Sequence, residues 1–219
     1  MRIAPKMTKK RRKVATRSRA RSKGRIDKTP PELLDAIRNG KCALFVGAGL
    51  SVGAGYPSWD GLLSRLIDAC SRGRDIPKHK AAELRRLLKH PDRYLMVAQE
   101  LSDRFGEEVF RSELVKEFSA ALKPTQAHLE LAKIPFRLVV TTNYDRLIET
   151  AYATVHPGEI PNTYTYRDAA DFADALWKGE YFILKAHGDV GRKATIVVTE
   201  RDYRSAIYRA PGYRAVLSA

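Results

Sequence analysis

The chain has little cysteine and no pairing pattern for what it has. Cys42 and Cys70 stand 28 positions apart with no C-x-x-C pair, so neither a disulfide framework nor a zinc ribbon can be assembled. This usage fits a reducing, cytoplasmic setting. Apolar runs long enough to cross a bilayer, roughly 18 residues, are also missing, and the basic start is followed by Thr29-Pro30-Pro31 rather than an apolar signal segment. A membrane protein and an exported one are both excluded on this reading. Acidic residues are absent from positions 1–25, which hold twelve of the 40 Lys and Arg. The remaining 28 basic residues face 25 acidic ones, so the body carries only +3 of the net +15. A charge confined to one end describes a tail rather than a basic face for nucleic acid.

Residues 1–28 are poor in large apolar side chains and cannot offset the entropy of ordering, so they read as a basic disordered tail. Its run Lys9-Lys10-Arg11-Arg12-Lys13 suggests a weak nucleic-acid contact, alongside the plainer reading of a solvated arm. From residue 29 the 44% hydrophobic content can supply one α/β core. Thr29 as cap with Pro30 and Pro31 predicts a helix over 30–39. The five apolar residues Cys42 to Val46 predict a strand buried on both faces of a parallel sheet. Ser58 and the apolar spacing from Trp59 to Cys70 predict a helix, with three more near 79–90, 92–105 and 107–122. Leu138-Val139-Val140 is a second buried strand, followed by a helix over 144–152. Further strands are expected at Tyr181 to Leu184 and Thr195 to Val198, and a short helix from Glu200. Strands separated by helices imply a parallel sheet that binds ligands beyond the strand carboxyl ends.

Three segments occupy such ends. Gly47-Ala48-Gly49-Leu50-Ser51 supplies glycines that let backbone N–H groups approach a pyrophosphate, although the spacing G-x-G-x-x-x-G departs from the usual dinucleotide fingerprint. A turn serving only strand-to-helix geometry is the plain alternative. Thr142-Asn143-Tyr144-Asp145 places an amide and a carboxylate where they can address ribose hydroxyls, or where Asn143 merely caps a helix. His187-Gly188-Asp189 offers an imidazole able to act as a base near neutral pH beside a residue that leaves room for a ligand.

Taken together, Gly-Ala-Gly-Leu-Ser at 47–51, Gly-Tyr-Pro-Ser-Trp at 55–59, Thr-Thr-Asn-Tyr-Asp at 141–145 and His-Gly-Asp at 187–189 stand in sirtuin order. The chain resembles the sirtuin-like domains of bacterial antiphage-defence proteins from about Leu33 to Tyr208. That segment includes Pro124 to His128 and Val198 to Tyr203. The resemblance implies an α/β, Rossmann-like parallel sheet with a helical module inserted at about 74–123. It implies one domain over 29–219, C-terminally incomplete and short of its last strand. By the same resemblance NAD is the substrate, Gly47, Ala48, Gly49 and Ser51 cradle its phosphates, and Thr142, Asp145 and Gly188 line its ribose. Asn143 and His187 are then the catalytic pair, with no metal required. Protein-deacylating sirtuins carry a four-cysteine zinc module after the His-Gly motif, and here no cysteine follows Cys70. They also show Phe-Arg where this chain has Trp59-Asp60. The implied activity is therefore hydrolysis of NAD to nicotinamide and ADP-ribose, regulated through a homo-oligomer or a sensor protein. The alternatives are an NAD-dependent deacylase and a non-catalytic NAD or ADP-ribose sensor.

Overall fold

The computed structural model describes residues 29–73, 75–209 and 213. The expected basic tail lies outside them. In chain order the elements are α1 (Pro31–Arg38), β1 (Ala43–Val46), α2 (Ala48–Val52), α3 (Trp59–Arg72), α4 (Lys78–Leu87), α5 (Tyr94–Phe105), α6 (Glu107–Lys116), α7 (Gln126–Ala132), β2 (Leu138–Thr141), α8 (Leu147–Val155), β3 (Asn162–Thr165), α9 (Ala169–Lys178), β4 (Phe182–Lys185) and α10 (Glu200–Arg209). The four strands form one parallel, open sheet in the order β1-β2-β4-β3. This is a Rossmann-like α/β architecture.

Apolar and β-branched side chains set the sheet. Leu44, Val46, Val139 and Ile183 share one face, which α7 and α8 cover through residues such as Ile148. Leu138, Val140, Phe182, Leu184 and Tyr164 share the other, under Phe172 and Ala175 of α9 and Ala206 of α10. A third cluster lies beyond the strand ends. Ser58 caps α3 by accepting from Gly61 N, and Leu63, Leu66 and Ile67 on its inner face meet Leu84 of α4, Leu101 of α5, and Phe110 and Leu114 of α6. Each such fully buried side chain contributes about 1.5–3 kcal/mol over its exposed state. Ile196 and Val198 join this cluster, so the helices between β1 and β2 rest on the segment that follows β4.

Several expectations need correction. The run Cys42 to Val46 predicts burial on both faces, but β1 is an edge strand and Phe45 is 69% exposed, because α9 and α10 sit over β2, β4 and β3 instead. Helix α1 is capped by Pro30 without a side-chain bond, not by Thr29. The segment Thr195 to Val198 is not a strand. A single 3-10 turn at Lys193–Thr195 leads into buried extended residues held by Val197 N donating to the His187 carbonyl. Helix α8 begins at Leu147 rather than at 144, and the strand expected from Tyr181 runs one residue later, from Phe182 to Lys185. Both β3 and α9 were unforeseen, since Asn162-Thr163-Tyr164-Thr165 is a polar edge strand with little apolar signal.

Candidate active site at the carboxyl edge of the sheet

Strand order decides which motifs meet. Val46 pairs in register with Thr141, and Thr141 with Lys185, so β1, β2 and β4 end at one level and side by side. Thr142 N donates to the Val46 carbonyl at 3.1 Å and Ala186 N to the Thr141 carbonyl at 2.8 Å. The segments starting at Gly47, Thr142 and His187 therefore leave the sheet along one edge, where a parallel sheet places its ligands.

The glycine segment turns at once into α2. Gly49 has no positive φ, and a Cβ built there would meet nothing within 4 Å. Nothing in the ligand-free fold requires glycine at 49. Bare backbone at this position is therefore open to something outside the chain.

Asn143 is buried and heavily bonded. Its Nδ2 donates to the Gly47 carbonyl at 3.1 Å and to Ser51 Oγ at 2.8 Å, while Ser51 Oγ donates to Asp145 Oδ2 at 2.7 Å. Because a carbonyl can only accept, the Gly47 contact fixes which way the amide faces. Asp145 Oδ1 accepts from Leu147 N at 3.0 Å in the turn that leads into α8, whose N-cap is Arg146, so Asn143 does not cap this helix. One atom is left over. Asn143 Oδ1 is buried with no hydrogen-bond partner, a state that costs about 1–3 kcal/mol. A small cavity of about 90 Å³ opens here, lined by Ala48, Ser51, Thr142, Asn143 and Asp145, with Trp59, Leu62 and Phe118 from the helical layer. Larger hollows exist elsewhere, including an apolar one of about 250 Å³ between α7, α8 and the sheet, which Leu50 also lines, but that one is lined by neither Asn143 nor His187.

His187 reaches the same edge from β4, and no hydrogen bond joins it to Asn143. Its ring meets Tyr203 of α10, with Oη 3.1 Å from Nε2 and 3.4 Å from Nδ1. Burial pushes the imidazole down to about 4 and the Tyr203 phenol up to about 12, so at neutral pH the ring is uncharged and the phenol keeps its proton. Gly188 has φ +89°, and any Cβ there would collide with the Thr195 carbonyl, so this glycine is demanded by the packing of the following segment. Asp189 faces inward; burial pushes its carboxyl up, but the Lys185 ammonium, Gly191 N and Arg146 together hold it below its usual range.

Sequence reasoning assigned no role to three further residues. Tyr203 packs edge-on against the His187 ring with its hydroxyl within reach of both ring nitrogens. His128 of α7 is buried, completes a capping box with Thr125, and has an unpartnered Nε2. Lys185 is fully buried at the end of β4, and a charge closing the apolar run Phe182-Ile183-Leu184 was the available signal. Among the described residues no group of three or more metal-ligating side chains occurs, and no helix is long and apolar enough to cross a membrane.

Comparison with known proteins adds the chemistry. A family profile described as a SIR2-like domain matches residues 137–219. The NAD(+) hydrolase ThsA of Cytobacillus dafuensis is 30% identical over 172 residues, 78% of this chain and 31% of its own length. That of Bacillus cereus is 32% identical over 177 residues, 80% of this chain and 34% of its own. Defense-associated sirtuin 2 of Bacillus subtilis is 30% identical over 182 residues, 78% of this chain and 16% of its own. The chain thus spans about a third of the ThsA relatives' length. With the parallel sheet and the three motifs gathered on one edge, these matches support a SIR2-like, or sirtuin-like, domain in this chain.

Proposed function

We propose that this chain is an NAD hydrolase domain that cleaves the nicotinamide–ribose bond, acting as a regulated effector of bacterial antiphage defence. The observation that carries the reading is the unpartnered, buried Asn143 Oδ1 at the point where the Gly47, Thr142 and His187 segments converge. An acceptor held in place with nothing to accept from suits a ribose hydroxyl or the attacking water. The relatives named NAD(+) hydrolase support the same chemistry.

In this scheme the backbone around Gly47, Ala48 and Gly49, with Ser51, takes the phosphates, and Thr142, Asp145 and Gly188 flank the ribose. Departure of nicotinamide carries the C–N electron pair to the pyridinium nitrogen and leaves an oxocarbenium-like ribose. A water oxygen, oriented by Asn143, bonds to the anomeric carbon and passes its proton to His187. The neutral imidazole is suited to this step because it is free to accept and does not repel the developing cation. The helical module at about 74–123 and its neighbours supply a wall of the cleft through Phe118. Unchecked NAD hydrolysis would be toxic to the cell, so activity awaits assembly into a homo-oligomer or engagement by a sensor protein.

The test is incubation of the purified chain with NAD and quantification of nicotinamide, alone over a range of protein concentrations and with candidate activators. Nicotinamide release lost in Asn143→Ala at unchanged NAD binding is the expected result. Saturable NAD binding without release under every condition would replace this reading with that of a sensor, and NAD-dependent loss of acetyl groups from a peptide would replace it with a deacylase.

A further inference from the structure

The Lys185 side chain lies beneath the candidate site and does not line the cavity around Asn143. It is completely buried, an arrangement that is costly unless every charge and donor is met. All of them are. Lys185 Nζ donates to the backbone carbonyls of Tyr144 at 3.0 Å and Asp145 at 2.5 Å, and pairs with Asp189 Oδ2 at 2.9 Å and Glu149 Oε1 at 3.0 Å. These partners belong to different parts of the edge. Tyr144 and Asp145 follow Asn143 directly, Asp189 follows His187 by two residues, and Glu149 lies on α8. One ammonium therefore grips the loop after β2 and the loop after β4 at once.

The surrounding bonds show that this grip is directional. Asp189 Oδ1 is occupied by Gly191 N at 2.6 Å and Arg146 Nη2 at 3.1 Å, so its second oxygen is presented to Lys185. Val190 N donates to the Tyr144 carbonyl at 3.2 Å, a second tie between the same two loops. Glu149, by contrast, leaves Oε2 without a partner, and burial raises its carboxyl above the usual range against the pull of Lys185. Glu149 balances charge, whereas the two carbonyls and Asp189 set geometry.

Building on the NAD hydrolase reading, we infer that Lys185 is a positioning residue that holds the Asn143 loop and the His187 loop at a fixed separation, so that the groups orienting and deprotonating water act on one ribose. Such reactions tolerate little displacement, and an error of about 1 Å costs on the order of 100-fold. The charge alone does not perform this function; the hydrogen bonds to both loops do.

The experiment separates these roles in the full 219-residue chain, under whichever condition activates the wild type. Lys185→Met alone strands two buried carboxylates and can fail to fold, so it is paired with Glu149→Gln, which removes the charge that Lys185 balanced; Asp189 keeps Arg146. Glu149→Gln alone is the control. The expected result is that Glu149→Gln retains nicotinamide release within about threefold. Lys185→Met/Glu149→Gln should fold with comparable thermal stability and bind NAD within about threefold, but lose kcat by at least about 30-fold. Amide hydrogen exchange at 143–147 and 187–191 should rise at least tenfold in the double variant over Glu149→Gln, without substrate present. Activity in the double variant equal to the control, or unchanged exchange at both loops, would overturn the positioning role and leave Lys185 as a charge-balancing core residue. Absence of nicotinamide release from the wild type under every condition would overturn the hydrolase reading, while the exchange measurement would still decide whether Lys185 ties the loops.

Discussion

At the scale of single residues the site is governed by what burial does to otherwise ordinary groups. An exposed histidine titrates near 6.5, and His187 is pushed to about 4 because its half-buried ring loses hydration in the charged form. The ring therefore stays in its uncharged, proton-accepting form well below neutrality. We expect kcat/KM for nicotinamide release to stay flat from pH 8 to about pH 5.5, with its acid limb below that. A limb centred at 6.5 would show that the ring is solvated in the working enzyme. His187→Ala should lower kcat by about 100-fold or more, and Tyr203→Phe, which frees the ring to rotate, by a smaller factor, both measurable by product quantification. As candidates, Asn143 and His187 were legible in the sequence because each follows a strand and stands in a motif of sirtuin order. Lys185 and Tyr203 were not, since what singles them out is partners 40 and 16 positions away.

Among the elements, β1 shows how a run of apolar residues can mislead. Cys42 to Val46 has the composition of an interior strand, yet its fate depends on which helices cover it. Leu44 and Val46 face α7 and α8, whereas Phe45 points away at 69% exposure and Ile183 on central β4 is fully enclosed. Phe45→Ser should therefore shift stability by less than about 0.5 kcal/mol, and Ile183→Ala should cost about 2–5 kcal/mol, read as displacement of the urea midpoint. Equal losses would mean that the outer face of β1 is covered in solution. The helices were easier to read, because a period of 3.6 shows in composition alone. Ser58 and the Leu62 to Cys70 stripe placed α3 correctly, while the polar strand β3 carried no comparable pattern.

For the whole molecule, pH acts on stability through the same buried histidines. The folded-state pKa of His187 lies below its unfolded value of 6.5, and that of His128 is lowered as well, again by burial. Protons thus bind the unfolded chain more tightly, so the stability from these two groups is present in full above about pH 6.5. It is lost as pH falls through 6.5 toward 4, at a cost for His187 on the order of 2–3 kcal/mol. Thermal melts at pH 7.5, 6.0 and 5.0 should show a falling midpoint, and the His187→Ala variant should lose part of that dependence. A midpoint independent of pH over this range would contradict the burial of both rings.

Composition, periodicity and motif order by themselves determined the α/β class, the helices from α3 to α6, and the strand ends that carry the candidate site. These are local properties, written in the spacing of apolar side chains and in the glycine, asparagine and histidine that follow strands. Only the tertiary structure decided the order β1-β2-β4-β3, the exposure of Phe45, the turn in place of a strand at Thr195, and the linkage of two loops through Lys185. Each of these depends on contacts between segments far apart in the chain, where packing and desolvation outweigh local preference.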